Sequence, residues 1–176
     1  RHKMNNETQN KIKADFSRVT ANINKLTDAK LLTILANNIN KYIKQHPNYA
    51  HFSILADNAI KKANSIKLKQ VLPQPLSDSK LEKLAYESVF KTALELNIKP
   101  SNRVIYQQLN RYGYAQTLVK QVCKSVGNKV YQSLCANGLM DITAEHFVFN
   151  NALHLIPNTV KQQLTNLFGQ TEFAHA

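Results

Sequence analysis

Apolar residues recur every three or four positions through most of this chain, a spacing that dictates amphipathic helices rather than alternating strands. After Thr27, a predicted N-cap, Leu32, Leu35, Ile39 and Tyr42/Ile43 mark one face, while Lys30, Asn37, Asn40, Lys41 and Lys44 populate the others. Pro47 requires that helix to stop before it. Ile12, Phe16, Val19 and Ile23 repeat the spacing over residues 6–24, and Phe52, Leu55, Ala59 and Ile60 do so in a shorter helix over 49–64. The stretch from Ser65 to Asp78 holds Pro73 and Pro75 and reads as a linker or long connection, the best domain boundary. Ser79 and Glu82 then stand in the S-x-x-E relation of a capping box. The helix they open runs to about Leu96. Its wide stripe of Leu81, Leu84, Ala85, Val89, Phe90, Ala93 and Leu94 makes it central to a second core.

Beyond it, Ser101 or Asn102 is predicted to cap a short helix from Arg103 to about Asn110. Arg111-Tyr112-Gly113 reads as a tight turn, and a further helix starts near Tyr114 with Leu118, Val119 and Val122 inward. Gly127 interrupts it, and a helix from Asn128 to about Ala136 ends at Asn137-Gly138 in a left-handed cap. The period then changes. Leu139 to Thr143 reads as extended, and His146-Phe147-Val148-Phe149, Asn150-Asn151 and Ala152 to Ile156 read as a β-hairpin. Pro157 ends the strand before a last helix from about Thr159 to Phe168. The predicted fold is mainly α. A helical N-terminal unit spans 1–70 and a linker 71–78. A C-terminal winged-helix-like unit with one β-hairpin spans 79–170, and a tail 171–176.

Charge narrows the function. Lys and Arg number 23 against 11 Asp and Glu, a formal +12, although charged residues are only 19% of the chain, so scarce acids matter as much as abundant bases. Apolar residues at 43% suffice for a core and exclude a wholly disordered basic tail. No apolar run approaches the roughly 18 residues of a membrane span, so no membrane partner is expected. Arg1 to Phe16 lacks the apolar core of a signal peptide, and a cytoplasmic location is expected. Arg1-His2-Lys3 reads as an addition ahead of a natural start at Met4. Cys123 and Cys135 make neither a disulfide framework nor a zinc site, and are expected to be free thiols.

The order of three helices, a short strand, a hairpin and a helix is that of a winged helix-turn-helix. There a tight turn holds the second helix proud of the surface for a major groove. Between Glu95 and Asp141 no acid occurs, while Lys99, Arg103, Arg111, Lys120, Lys124 and Lys129 do. Lys120 and Lys124 share a helix face. Gln116, Thr117 and Gln121 suit base edges or phosphates, and Tyr112 and Tyr114 flank the turn within reach of a nucleic-acid backbone. Lysines of the N-terminal half, among them Lys11, Lys13, Lys41, Lys44, Lys61 and Lys67, add a footprint for phosphates. Catalysis is not expected. The acids are dispersed, and there is no phosphate-binding glycine loop or nucleophile motif. His46 and His51 read as loop residues. His146 and His154 would face one another across the hairpin without further metal ligands. No cofactor and no metal are expected.

The segment Val130 to Leu164 carries V-Y-Q-S-L-C-A-N-G-L-M-D-I-T and then H-F-V-F-N-N-A-L-H-L-I-P-N-T-V-K-Q-Q-L. Its Leu155-Ile156-Pro157-Asn158 step from strand to helix resembles the winged-helix domain that closes the relaxase/helicase-like proteins of integrative conjugative elements, the H class of mobilisation proteins. The catalytic His and Asp motifs of that family lie in another domain and are absent here, so the resemblance implies a DNA-binding accessory piece and not a nicking enzyme. The expected function is non-catalytic nucleic-acid binding, duplex DNA before RNA, in a mobile-element, replication, regulatory or defence system. Helix 114–124 would enter the major groove. Two alternatives stand beside it: a helical subunit of a protein–RNA effector complex, and a docking adaptor with a basic face, in each case with protein partners in a larger assembly.

Overall fold

The computed structural model describes residues 6–96 and 103–173. The predicted cap at Ser101 or Asn102, the side chain of Lys99 and the start around Met4 lie outside them. Among the described residues every regular element is helical and none is a strand. The chain divides into two compact units between Val71 and Leu72.

The first unit holds α1 (Asn6–Lys25), α2 (Ala29–Gln45), a 3-10 turn (Pro47–Phe52) and α3 (Ser53–Val71). Its core joins Ile12 and Ile23 to Leu32, Ala36, Ile39, Phe52, Leu55, Ala56, Ala59 and Ala63. Ala36, Ala59 and Ala63 are fully buried, and their small side chains let α2 and α3 approach closely. Asp28, one residue beyond the predicted Thr27, caps α2: its Oδ1 accepts from the amides of Lys30 (2.7 Å) and Leu31 (2.9 Å). Those bonds hold its carboxyl below the usual range. Lys62 on α3 serves the other kind of helix end, donating from Nζ to the carbonyls of Ile23 (2.9 Å) and Asn24 (2.8 Å) at the close of α1. The third helix continues seven residues past the predicted 64, through Ser65 to Val71, with Leu68 buried. No glycine or proline interrupts the chain between Ser53 and Leu72, and the breakers begin only at Pro73.

The second unit holds α4 (Lys80–Glu95), α5 (Arg103–Lys124), α6 (Lys129–Ala136), a 3-10 turn (Met140–Ile142), α7 (Ala144–Asn151), a second 3-10 turn (Leu153–Leu155) and α8 (Asn158–Phe173). The predicted linker does not run free at its start: Leu72 is buried and the Pro73 carbonyl is bonded within this unit. The predicted β-hairpin is absent. Residues 144–151 form α7, started by Thr143, whose Oγ1 accepts from His146 N at 3.1 Å. Glu145, Val148 and Ala152 are buried at helical steps. The turn residues Asn150 and Asn151 instead donate from Nδ2 to the carbonyls of His146 and Phe147, both 3.0 Å, one helical turn back. The predicted extended run at 139–143 contains a 3-10 turn, and His154 lies in the second such turn, so the facing of His146 and His154 across a hairpin is lost. A short aromatic run satisfies both periods, and here Thr143 and the packing of Val148 favour the helix. The winged-helix-like unit is therefore corrected to an all-helical one among the described residues. The helix predicted to end near Phe168 runs to Phe173, so the first part of the predicted tail is helical and 174–176 lie outside the described residues.

Candidate nucleic-acid interface

The segment expected to meet nucleic acid is the second part of α5, and its start is set by Gly113. That residue has φ 77° and ψ 178°, a region only glycine occupies without strain, and it breaks α5 into two arms. The new helix beginning at Tyr114 exposes free amides, and a buried carboxylate from α4 meets them. Glu82 Oε1 accepts from Tyr114 N at 2.6 Å and Oε2 from Ala115 N at 3.0 Å. A negative charge at a helix N-terminus is doubly favourable, through the hydrogen bonds and the helix dipole. The fit is close enough that a Cβ at position 113 would stand 2.6 Å from Glu82 Oε1. In the predicted capping box Glu82 N does donate to Ser79 Oγ at 3.2 Å, but the Glu82 carboxylate turns to the Gly113 break.

This anchoring decides which predicted contacts survive. Tyr114 is fully buried; its hydroxyl donates to the Pro73 carbonyl at 2.6 Å and its ring meets Tyr86 edge-on. Burial, with Tyr86 and Glu82 nearby, pushes its phenol far above the usual value. Thr117 is also buried, donating from Oγ1 to Gly113 O at 2.6 Å. Both were expected on nucleic acid and both are core residues. With Ala115, Leu118, Val119 and Val122 also buried, residues 114–124 form a central core helix, not one held proud.

What remains at the surface is a stripe: Gln116, Lys120, Cys123 and Lys124 are exposed, and Gln121 is half-buried beside it. Lys120 and Lys124 stand one turn, about 6 Å, apart along the axis. At its head, Lys120 Nζ lies 3.2 Å from the centre of the Tyr112 ring and Arg111 Cζ 5.1 Å from it. Two cations thus lie against one half-buried aromatic ring, which fixes long side chains that would otherwise wander. Lys129 is exposed at the start of α6. The backbone of Arg103 opens α5, and its side chain lies outside the description. No carboxylate forms an ion pair with Arg111, Lys120, Lys124 or Lys129 among the described residues.

A second buried acid escaped the sequence reading. Glu145 Oε1 accepts from Gly127 N at 3.2 Å, where Gly127 has φ 66°. Asn128, next along, caps α6 by accepting from the amides of Val130 (2.9 Å) and Tyr131 (3.1 Å). Burial raises the Glu145 carboxyl above its usual range, against the opposing pull of backbone amides. The breaks at Gly113 and Gly127 are thus each held by a buried glutamate, Glu82 and Glu145. The signal available was an acid inside an apolar stripe of an acid-poor chain. Among the described residues no group of three or more His, Cys, Asp or Glu could hold a metal ion. No protein-family model, curated protein or solved structure matches the chain.

Proposed function

We propose that this protein binds nucleic acid without catalysis, duplex DNA in first place, through phosphate contacts made by Arg111, Lys120, Lys124 and Lys129, with Gln116 and Gln121 alongside. The observation that carries the reading is the unpaired cationic stripe on a helix whose other faces are locked in the core. Like charges one turn apart repel, and a polyanion relieves that repulsion while releasing its own counterions. Because only the stripe is free, the contact is read as a docked edge rather than a helix sunk to its full width in a groove.

Retention on duplex DNA, single-stranded DNA and RNA at two salt concentrations tests this. Four phosphate contacts give a log–log salt slope of about −3 to −4 on duplex DNA. Lys120→Glu with Lys124→Glu should lower affinity at least about tenfold while leaving the melting temperature near that of the wild type. Unchanged binding by the folded double variant refutes the proposed contact. Preference for RNA would move the protein to a protein–RNA complex. Binding to none of the three would favour the docking adaptor, for which Leu31, Ile34 and Tyr42, all exposed on α2, are the specific observation.

A further inference from the structure

The first unit carries an unbroken row of rings. Tyr42 and His46, one turn apart at the end of α2, have ring centres 4.2 Å apart. The Tyr42 ring meets Tyr49 edge-on at 5.2 Å, Tyr49 meets Phe52 at 5.0 Å, and Phe52 meets Phe16 at 5.3 Å. His51 closes the row, stacked on Phe16 at 5.7 Å. Pro47 sets this up by ending α2: in the 3-10 turn it opens, Tyr49 N donates to His46 O at 2.9 Å, and the chain is folded back on the helix it has just left. Phe52 is buried in the core, and the Tyr49 hydroxyl donates to Asp15 Oδ2 at 3.2 Å, so the middle of the row is held from two sides.

The ends of the row meet water. Tyr42 is 42% exposed in a stretch of helix whose backbone is enclosed by its own turns, so the exposed part is chiefly the ring. His46 and His51 are exposed as well. Rings held this way lose little freedom when a flat partner stacks on them.

Charge narrows the partner. Between Asp28 and Asp57 no acid occurs. Lys41 and Lys44 are exposed, three apart on the last turns of α2, and Lys13 is exposed three residues before Phe16, at the other end of the row. None of the three forms an ion pair among the described residues. The carboxylate that does approach the rings, Asp15, gives its Oδ1 to Arg18 at 2.9 Å and its Oδ2 to Tyr49. Rings suit flat unsaturated groups, and lysines suit phosphates. Unpaired bases on a sugar-phosphate chain supply both, whereas a duplex keeps its bases stacked on one another.

We infer that this face of the first unit binds single-stranded nucleic acid, with a base stacked on Tyr42 and His46 and phosphates on Lys41, Lys44 and Lys13. The inference stands apart from the duplex reading, since none of these residues belongs to the stripe on α5.

The probe is an oligothymidylate about a dozen nucleotides long, titrated against the full chain. Three lysine–phosphate contacts give a log–log salt slope of about −2 on a single strand. The chain has tyrosines and no tryptophan, so its emission is that of tyrosine, and a base stacked on Tyr42 should quench part of it. Tyr42→Leu should weaken oligothymidylate binding about tenfold at an unchanged salt slope, and should leave duplex affinity as in the wild type. Tyr42→Phe, which keeps the ring, should hold the affinity and lose part of the quench. No binding of the oligothymidylate, or binding that Tyr42→Leu leaves unchanged, would overturn the proposal and leave this face to a protein partner. An equal loss on single strand and duplex would overturn it too, since stacking on unpaired bases has no counterpart on a duplex. If Tyr42→Leu does not fold, Tyr42→Phe decides alone: a quench equal to that of the wild type would overturn the proposal.

Discussion

In the first unit the chain turns into α2 at Asp28, an exposed carboxylate that accepts from the amides of Lys30 and Leu31. In the second it turns into helices at Gly113 and Gly127, where Glu82 and Glu145 receive backbone amides from inside the core. The chemistry is the same, a carboxylate on free N–H groups beside a helix start, and the surroundings are opposite. A surface cap is local and replaceable. A buried one ties distant segments together, because a carboxylate in the interior must keep its partners. The first unit accordingly rests on an apolar core around Leu32 and Ala59, while the second places the carboxylates of Glu82 and Glu145 within its interior.

The sharpest way to break the contrast is at Gly113. Gly113→Ala should destabilise the second unit by about 3 kcal/mol or more, combining roughly 1–3 kcal/mol of backbone strain with displacement of Glu82 from two amides. Glu82→Gln, which keeps shape and one acceptor, should lose less. Both are read from denaturant unfolding followed by amide exchange, with protection lost along α4 and α5 and kept in α2 and α3. Loss of protection in the first unit alone would contradict the assignment.

A smaller effect sharpens the same contrast through pH. Asp28 sits below its usual range when folded, so its contribution is present above the unfolded value and fades as pH falls through the folded one. Glu145 sits above its usual range, so the fold prefers it protonated, and its contribution is lost as pH rises from about 4.3, the unfolded value, through the raised one. The melting temperature of Glu145→Gln relative to wild type should therefore climb as pH rises from about 4 to 8. That of Asp28→Asn should move the other way. Parallel curves for the two variants would remove the distinction between surface and buried carboxylates.

Much of the first unit was legible because its stripes extend over several turns. Leu32, Leu35 and Ile39 leave little choice of period, and Asp28 replaces Thr27 as cap within one residue. The second unit was legible where a single residue forces the backbone, as at Gly113 and at the Asn128 cap. It was not legible over 144–156, a run too short to separate the two periods. Nor could the inward turn of Thr117 be read, since a threonine whose hydroxyl bonds the carbonyl four residues back buries as readily as an apolar side chain. The surface stripe is what remains of the predicted site: Arg111, Gln116, Lys120 and Lys124 are exposed, while Tyr114 and Thr117 are not.

The most direct measurement compares two charge reversals of equal size, one on the stripe and one away from it. Lys120→Glu with Lys124→Glu changes the stripe; Lys80→Glu with Lys91→Glu makes the same change in net charge on two exposed lysines of α4. Titrated against duplex DNA at one salt concentration, the first pair should lower affinity at least about tenfold and flatten the salt slope by about 2, and the second should do far less. Equal losses from the two pairs would mean that net charge alone attracts the polyanion, and would contradict a contact centred on the helix that Glu82 holds in place.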